Sequence, residues 1–302
     1  MQSLALCGRL FSRAFVTSLG LNPERQIKSR KDFHLVTGCA GFSKSLTKTQ
    51  GPKQWTYGDD AYFITRHKVA DVIGVADGVG GWRNYGVDPS TFPTALMKMC
   101  ERLVKEGKFN PRTPAKIIQA SYDEMQQQKL PLIGSSTACV VSLHREDNTL
   151  YTANLGDSGF LIIRDSEVIH RSVEQQHYFN TPFQLAVVPQ SQEGQVLSDS
   201  PAMADSTSFK VEEGDILLLG TDGLFDNMCE DMIMDHISKL KDHRADIQKT
   251  ANNMAEDALS LSLDQDYLSP FSLSAIDAGI DLKGGKPDDI TVILARVAVL
   301  DT

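Results

Sequence analysis

The sequence predicts an α+β fold, a layered domain in which antiparallel strands and helices pack on one another. One observation is that short apolar strands follow each other in hairpins, as at residues 61–66 and 71–76. The other is that helices interrupt these strands in pairs, as at residues 88–107 and 113–128. A parallel nucleotide-binding sheet would alternate strands with single helices, so the pattern argues against that fold.

Apolar spacing places each element in chain order. Strands are predicted where apolar runs or alternations are bounded by turn residues. They lie at residues 34–41, 61–66, 71–76, 136–143, 150–155, 159–164, 167–172, 215–223 and 288–299. Apolar residues spaced three and four apart predict helices, at residues 88–107, 113–128, 231–240 and 246–263. Polar stretches at residues 42–57 and 189–208 lack a clear period and predict loops.

Composition and charge argue against several classes of protein. The net charge of −9 is unfavourable for nucleic acid binding, because proteins of that class usually present a basic surface. No apolar run reaches about 18 residues, so we expect no membrane span. The five cysteines are scattered without a Cys-x-x-Cys pair, which favours reduced structural thiols over a zinc or redox site. We expect a monomer.

The first 30 residues predict a mitochondrial transit peptide. Between Met1 and Pro23 the only charged side chains are Arg9 and Arg13. Apolar residues at helical spacing lie roughly opposite them: Leu4, Cys7, Phe11 and Phe15. An amphipathic, arginine-bearing, acid-free start is typical of such leaders, and a plain surface helix or tail is the alternative. We therefore expect a leader at residues 1–30 and a single domain at residues 31–302. The sequence does not specify the position at which the leader is cleaved.

Aspartates recur where the predicted buried strands begin or end. They are Asp59 and Asp60, Asp77, Asp157, Asp222, and Asp288 with Asp289. A single Asp-Gly pair is an ordinary turn, but strand ends that meet would place several carboxylates in one cleft. Such a group needs a cation between its members, and oxygen-only clusters suit Mg²⁺ or Mn²⁺. Two such ions can acidify a shared water and hold a phosphate ester, so hydrolysis would need no side-chain nucleophile.

Six motifs in order resemble the metal-dependent protein phosphatases, the protein phosphatase 2C or PPM family. They are Gly58-Asp59-Asp60-Ala61, Val75-Ala76-Asp77-Gly78, Gly134-Ser135-Ser136-Thr137-Ala138, Asn154-Leu155-Gly156-Asp157-Ser158, Thr221-Asp222-Gly223-Leu224-Phe225-Asp226 and Pro287-Asp288-Asp289-Ile290-Thr291. Each motif is weak by itself, but six in the family's order across residues 58–299 are specific. The leader and residues 174–185 resemble the mitochondrial branch that fungi and animals share.

The resemblance implies a fold of two packed antiparallel β-sheets flanked by helix pairs. It also implies a Mg²⁺- or Mn²⁺-dependent serine/threonine protein phosphatase, which hydrolyses phosphoserine and phosphothreonine esters with a water that two metal ions activate. The implied substrates are phosphoproteins of the mitochondrial matrix, including metabolic enzymes such as those of coenzyme Q biosynthesis. No nucleic acid partner is implied.

The resemblance also implies a role for each residue of the site. Asp77 would bridge both ions, and Asp222 and Asp288 would complete the shell of the first. The carbonyl of Gly78 and the side chain of Asp59 would serve the second. The family usually has glutamate at the place of Asp59, so its contact there could be shorter or pass through a water.

Two further carboxylates complete the implied site. Asp60 would hold a water of the metal shell, so the implied catalytic set is Asp77, Asp222 and Asp60. Asp157, together with Asp222, would form a weaker third metal site found in several members of the family.

Three positions depart from the family pattern. Val79 replaces the histidine that is proposed to protonate the leaving hydroxyl, and a valine cannot move a proton. Gly159 replaces an arginine, and Trp55 replaces an arginine that grips phosphate in many members. The metal ligands are therefore retained, while three side chains often used around the phosphate are absent.

Other side chains could take the missing roles. The acid could be a water, His67 or His177, and Arg83 or Lys53 could meet the phosphate. Loss of a general acid typically costs about 10²–10⁴ in rate, which slows an enzyme without turning it into a scaffold. We expect an active phosphatase. The alternatives are a pseudo-phosphatase that only binds its partners, and a calcium-stabilised β protein without catalysis, although no EF-hand spacing is present.

Overall fold

The computed structural model describes residues 31–45, 56–127, 132–189, 194–240 and 244–301. Within these residues, the strands are β1 Lys31–Phe42, β2 Ala61–His67, β3 Ala70–Ala76, β4 Gly134–Ser136, β5 Ala138–His144, β6 Thr149–Leu155, β7 Gly159–Arg164, β8 Glu167–Arg171, β9 Gln176–Tyr178, β10 Thr181–Pro182, β11 Leu185–Val187, β12 Ser208–Lys210, β13 Ile216–Gly220 and β14 Ile290–Asp301. The helices are α1 Thr91–Lys105, α2 Pro114–Gln126, α3 Asp222–Phe225, α4 Glu230–Ser238, α5 Arg244–Ser262 and α6 Pro270–Asp277. The predicted leader, Lys53 and Trp55 lie outside the described residues.

Two five-stranded antiparallel sheets form the centre of the fold. Sheet 1 has the strand order β1-β14-β13-β7-β8, and sheet 2 has the order β12-β6-β5-β3-β2. Their facing sides share one apolar cluster, to which sheet 1 contributes Leu35 and Leu219 and sheet 2 contributes Ile73 and Val141. The sheets therefore pack face to face, and apolar burial between them is a main source of stability.

Helices cover the outer face of each sheet. Phe92 and Leu96 of α1 pack with Val72 of β3 on sheet 2, where α2 also lies. On sheet 1, Ala251 of α5 packs with Val292 of β14. The layers therefore run helix, sheet, sheet, helix, which confirms the predicted α+β class.

Strand β3 shows why a continuous apolar run in the sequence predicts a buried strand of these sheets. All seven of its residues are buried, because helices cover one face of sheet 2 and sheet 1 covers the other. A strand that is buried on both faces reads as a continuous apolar run and does not alternate. The run in β3 ends where the chain leaves the sheet, and Asp77 is the next residue.

Some element boundaries differ from the sequence prediction. The strand expected at residues 215–223 ends at Gly220, and Asp222 begins helix α3. Helix α6 was not predicted, although its start carries a local signal: Ser269 accepts a hydrogen bond from the Ser272 backbone N–H, and Pro270 follows at the first helical position. None of the helices in the described ranges is both long and apolar enough to cross a membrane.

We expect Gly223→Ala to destabilise the protein. A Cβ on Gly223 would lie well inside van der Waals contact of the backbone carbonyl oxygen of Asp289, and a backbone atom cannot turn aside. Such overpacking typically costs about 1–3 kcal/mol. Urea unfolding followed by circular dichroism measures the free energy of unfolding.

Gly81→Ala is the matched control for this substitution. A Cβ on Gly81 would meet no atom within 4 Å, so its free energy of unfolding should change by less than about 0.5 kcal/mol. Equal stability of the two variants would contradict the close approach of α3 to the start of β14.

Candidate metal centre

The predicted acidic strand ends meet at one end of the two sheets. In sheet 2, Ala61 pairs with Ala76, so Asp60 before β2 lies beside Asp77 after β3. In sheet 1, Gly220 pairs with Val292, which brings the start of α3 beside the residues that precede β14. The antiparallel register therefore brings together carboxylates that are far apart in the chain.

Three of these carboxylates form a compact group. Within the described residues, one potential ligand atom from each of Asp77, Asp157 and Asp222 lies within 4.8 Å of the other two. A cavity of about 290 Å³ opens onto the group, and Asp77, Asp222 and Asp288 line it together with Gly78. The described geometry thus brings four of the predicted site residues to one cavity, and Asp157 contacts this group without being part of the cavity lining.

Asp59 and Asp60 lie on the sheet 2 side and differ in their partners. Asp60 is buried, and its Oδ2 accepts hydrogen bonds from the hydroxyls of Thr221 (2.8 Å) and Thr291 (2.7 Å). Asp59 is also buried, and its two oxygens accept from Arg83 at 2.6 and 2.7 Å. Asp60 is therefore fixed by neutral donors, whereas Asp59 is held by a bidentate ion pair.

Gly78 can approach its neighbours because it has no side chain. A Cβ at this position would lie 2.5 Å from the carbonyl oxygen of Pro89 and 2.6 Å from that of Asp59. Real Cβ atoms do not approach backbone oxygens this closely. The glycine after Asp77 is therefore required for the chain to pass between these two segments.

Three cationic side chains contact the acidic group. The Nζ atom of Lys44 donates a hydrogen bond to Asp288 at 2.9 Å and lies 3.2 Å from Asp289 and 3.4 Å from Asp59. Lys286 and Arg83 are the other two, and Lys286 pairs with Asp222. These cations offset part of the repulsion between the carboxylates.

Burial, together with the remaining repulsion, raises the pKa of several carboxyl groups. Burial, the largest cause, and the nearby Asp222 carboxylate raise the pKa of Asp77. Burial and Asp289 raise the pKa of Asp60 in the same way, although its threonine partners oppose the shift. For Asp157, burial and Asp222 raise the pKa and Lys286 opposes them. These groups resist ionisation unless further positive charge is present.

Asp222 behaves differently from its neighbours. Burial opposes its ionisation, but the Lys286 ammonium and a hydrogen bond with Asp77 hold its pKa below the ordinary value. The charged form of Asp222 is therefore favoured, whereas the raised pKa of Asp77 favours its protonated form.

The residues fit a divalent cation. Three buried carboxylate oxygens of this acidic group have no hydrogen-bond partner within the described structure: Asp60 Oδ1, Asp157 Oδ1 and Asp222 Oδ1. A buried carboxylate oxygen without a donor is costly, and a hard cation or its water shell would satisfy it. All of the donors are oxygens, which is the ligand type that Mg²⁺ and Mn²⁺ prefer.

Comparisons with known proteins agree with this geometry. The profile of the family described as Stage II sporulation protein E (SpoIIE) matches residues 72–298. A protein phosphatase PTC7 homolog of Xenopus laevis is 56% identical over 299 residues, covering 99% of both chains. The human protein phosphatase PTC7 homolog is 55% identical over 300 residues, again with 99% of both chains covered. The chain belongs to the protein phosphatase 2C family. The family resemblance drawn from the six motifs is therefore confirmed.

Solved structures of protein phosphatase 2C proteins share the fold. The photosystem II phosphatase PBCP is 28% identical with a TM-score of 0.73, over 87% of this chain and 98% of that one. The catalytic domain of the serine/threonine phosphatase PstP has a TM-score of 0.54 at 14% identity, over 89% and 99% of the two chains. The second likeness supports the fold alone.

The structure gives physical context to two departures from the protein phosphatase 2C motifs. Val79 lines the cavity, and its backbone N–H donates to the Ser135 carbonyl at 3.1 Å. A Cβ at Gly159 would lie 2.4 Å from the hydroxyl of Ser172, which itself accepts a hydrogen bond from the Phe160 N–H. Ser172 therefore fills the space through which an arginine at position 159 would leave the chain.

Neither histidine considered as an acid lines the cavity. His67 ends β2, and Asp60 precedes the start of that strand, so the two are separated by roughly 20 Å of extended chain. His177 pairs with Asp199 at 3.0 Å and stacks on Phe183. Within the described residues the lining of this cavity contains no histidine.

Sequence reasoning missed two cations of this site and gave no role to Asp226 and Asp289, although both lie in the quoted motifs. Lys44 falls in the stretch that was predicted as a loop, and Lys286 was not singled out, although it lies two residues before Asp288. Asp226 accepts from Lys286, and Asp289 accepts from the backbone N–H groups of Lys44 and Asp59. The spacing of Lys286 from the Asp288-Asp289 pair is the local signal that could have indicated its role.

We expect Asp77→Asn to stabilise the metal-free protein at neutral pH. A carboxyl whose pKa is raised by folding binds more protons when folded, so its contribution to stability is lost as pH rises through the raised value. The amide has no charge to lose and can still donate to Asp222. In EDTA, the melting temperature of the variant should therefore exceed that of the original protein increasingly as pH rises above about 4.

Addition of Mn²⁺ should reverse the order of the two melting temperatures, so that the original protein melts above Asp77→Asn. At 100 times its dissociation constant, an ion bound only by the folded state adds about 2.7 kcal/mol of stability, and Asp77→Asn should gain far less. Asp277→Asn removes an exposed carboxylate and should leave both responses unchanged. An equal response of Asp77→Asn and the original protein to Mn²⁺ would exclude Asp77 as a ligand.

Proposed function

We propose that the protein is a Mg²⁺- or Mn²⁺-dependent serine/threonine protein phosphatase that hydrolyses phosphoserine and phosphothreonine esters of mitochondrial proteins. The convergence of carboxylates with unpartnered oxygens on one cavity carries the metal-dependent part of this proposal. Relatives that match 99% of the chain support the phosphatase part. The predicted transit peptide and the resemblance to the mitochondrial branch support a location in the matrix, with phosphorylated metabolic enzymes as substrates.

Two ions would use most of the carboxylates described above. Asp77 is proposed as the ligand common to both, with Asp222 and Asp288 on the first ion. The carbonyl of Gly78 and the side chain of Asp59 are proposed for the second. When bound, such ions lower the pKa of a water and offset the negative charge of a phosphate ester.

Asp60 is the residue best placed to hold a water in this site. Its Oδ2 already accepts from Thr221 and Thr291, which fixes the direction of the carboxylate. Its unpartnered Oδ1 can then accept a hydrogen bond from a water without any movement of the side chain. Asp60 would thereby orient a water of the metal shell.

Lys44 is better placed than Arg83 to meet a phosphate. Lys44 lines the cavity, and its side chain is 30% exposed. Arg83 is absent from the cavity lining, and both of its terminal nitrogens donate to Asp59. We therefore assign the phosphate contact to Lys44, and Arg83 to the orientation of Asp59.

Assay of a phosphopeptide with Mn²⁺, and then with excess EDTA, tests the proposal. Turnover should require the divalent ion, and Asp222→Asn should reduce it by at least about 10³-fold, because it removes the carboxylate that stays charged beside the ions. Asp277→Asn should retain full activity. Folded protein without turnover under any divalent ion would instead support the pseudo-phosphatase alternative, which Val79 and Gly159 favour.

Val79→His tests whether the missing acid limits the rate. A histidine at this position would face the cavity and could protonate the leaving hydroxyl, so we expect kcat to rise by about 10-fold or more below pH 7. Val79→Ile, which adds bulk without a proton donor, is the control. An unchanged rate and pH profile in Val79→His would show that the leaving group takes its proton from another source.

A further inference from the structure

Lys286 lies where the acidic group is most crowded. Its Nζ atom donates to Asp222 and, at 2.8 Å, to Asp226, and it lies 3.5 Å from Asp288. The side chain is only 14% exposed. One ammonium group thus donates hydrogen bonds to two carboxylates and lies within ion-pair distance of a third.

The position of this lysine is fixed by other contacts. The backbone N–H of Lys286 donates to the Asn227 side-chain oxygen at 2.8 Å, and the Asn227 amide donates back to the Lys286 carbonyl at 2.9 Å. The same amide donates to the carbonyl of Gly223 in α3 at 3.0 Å. The ammonium also lies 5.0 Å from the centre of the Phe271 ring. Lys286 is therefore held as part of the fold and is not a mobile surface chain.

A further cation site would need the same carboxylates. Asp157 and Asp222 are the residues that the family pattern assigns to a weaker third ion, and their oxygens lie within 4.8 Å of each other. Asp157 is only 6% exposed, and its Oδ1 has no hydrogen-bond partner in the described structure. Asp226 lies beside this pair, because the Lys286 ammonium donates to both Asp222 and Asp226.

We propose that the Lys286 ammonium takes the place of a third metal ion. The protein then binds two divalent cations, and the carboxylates Asp157, Asp222 and Asp226 do not hold a third. This inference rests on the proposed divalent-ion site and concerns its stoichiometry. A fixed ammonium supplies one positive charge to Asp222 and Asp226 without capture of an ion from solution. It also repels a divalent ion that approaches Asp157, because like charges at short range in a buried site repel strongly.

As a consequence, the two sides of the site obtain their positive charge from different sources. The side formed by Asp77 and Asp288 lies open to the cavity, where ions can exchange. On the side of Asp157 and Asp226, positive charge comes from Lys286, which belongs to the chain and also lines the cavity. Activity should therefore follow the occupancy of two sites and should not rise further at millimolar Mn²⁺.

Counting bound Mn²⁺ tests this inference directly. Isothermal titration calorimetry and equilibrium dialysis with atomic absorption should give two ions per chain for the original protein. Lys286→Ala should give three, the added ion binding with a dissociation constant on the order of 10⁻⁴–10⁻³ M, as in loosely built carboxylate sites. Adding Asp157→Asn to Lys286→Ala should return the count to two.

Two further variants make the result specific. Lys283 lies three residues before Lys286 and is an exposed cation that pairs with Asp266. Lys283→Ala should therefore leave the count at two ions. Lys286→Gln removes the charge but keeps a hydrogen-bond donor on a side chain one bond shorter. It should also gain an ion, which covers the case in which Lys286→Ala does not fold. A count of three in the original protein, or of two in both folded Lys286 variants, would overturn the inference.

The count also separates this inference from the proposed function. No bound Mn²⁺ in the original protein would contradict the metal-dependent function itself. Two ions in the original protein with no gain in the variants would leave that function standing and remove only the role of Lys286.

Discussion

The arrangement of this site depends on how positive charge reaches a group of buried carboxylates. Two sheets deliver acidic residues to one end of the fold, and carboxylates this close cannot all ionise without cations among them. In the described structure the chain supplies part of that charge itself, through Lys44 on one side and Lys286 on the other. The carboxyl groups that these lysines do not fully offset, Asp77 and Asp60, keep raised pKa values. The unmet demand for positive charge is what favours divalent cations.

The sandwich of sheets explains why the carboxylates can be held so close together. Antiparallel pairing fixes the ends of β2 and β3 side by side, and the ends of β13 and β14 likewise. Helices and the opposite sheet bury both faces of these strands, so the acidic ends rest on a rigid support. The stability gained from that apolar burial offsets the cost of placing like charges together. Close passages at Gly78 and Gly223 bring the loops within ligand distance of one another.

The departures from the family pattern change the surroundings of the proposed metal site and leave its carboxylates in place. Val79 presents an apolar surface where a proton donor is usual, and Ser172 fills the space beside Gly159. Lys44 brings to the cavity a cation from a different part of the chain. An enzyme built in this way relies on charge and orientation more than on proton transfer from a side chain. Within the described residues, the lining of the cavity is consistent with that emphasis.

The sequence by itself determined the fold class, the strands that end in aspartate and the residues of the acidic group, because apolar period and turn residues are local properties. Tertiary structure decided which charges meet. Lys44 and Asp288 are 244 positions apart, and no local pattern relates them. The same holds for the bidentate pair of Arg83 with Asp59. The sequence suggested Arg83 as a phosphate contact and Asp59 as a ligand of the second metal ion. Helix α3 begins at Asp222, where a strand was expected, because the glycine after it lets the helix approach the backbone of Asp289. Local sequence sets where each carboxylate lies along its strand, whereas packing between distant segments sets its partner, its pKa and its charge.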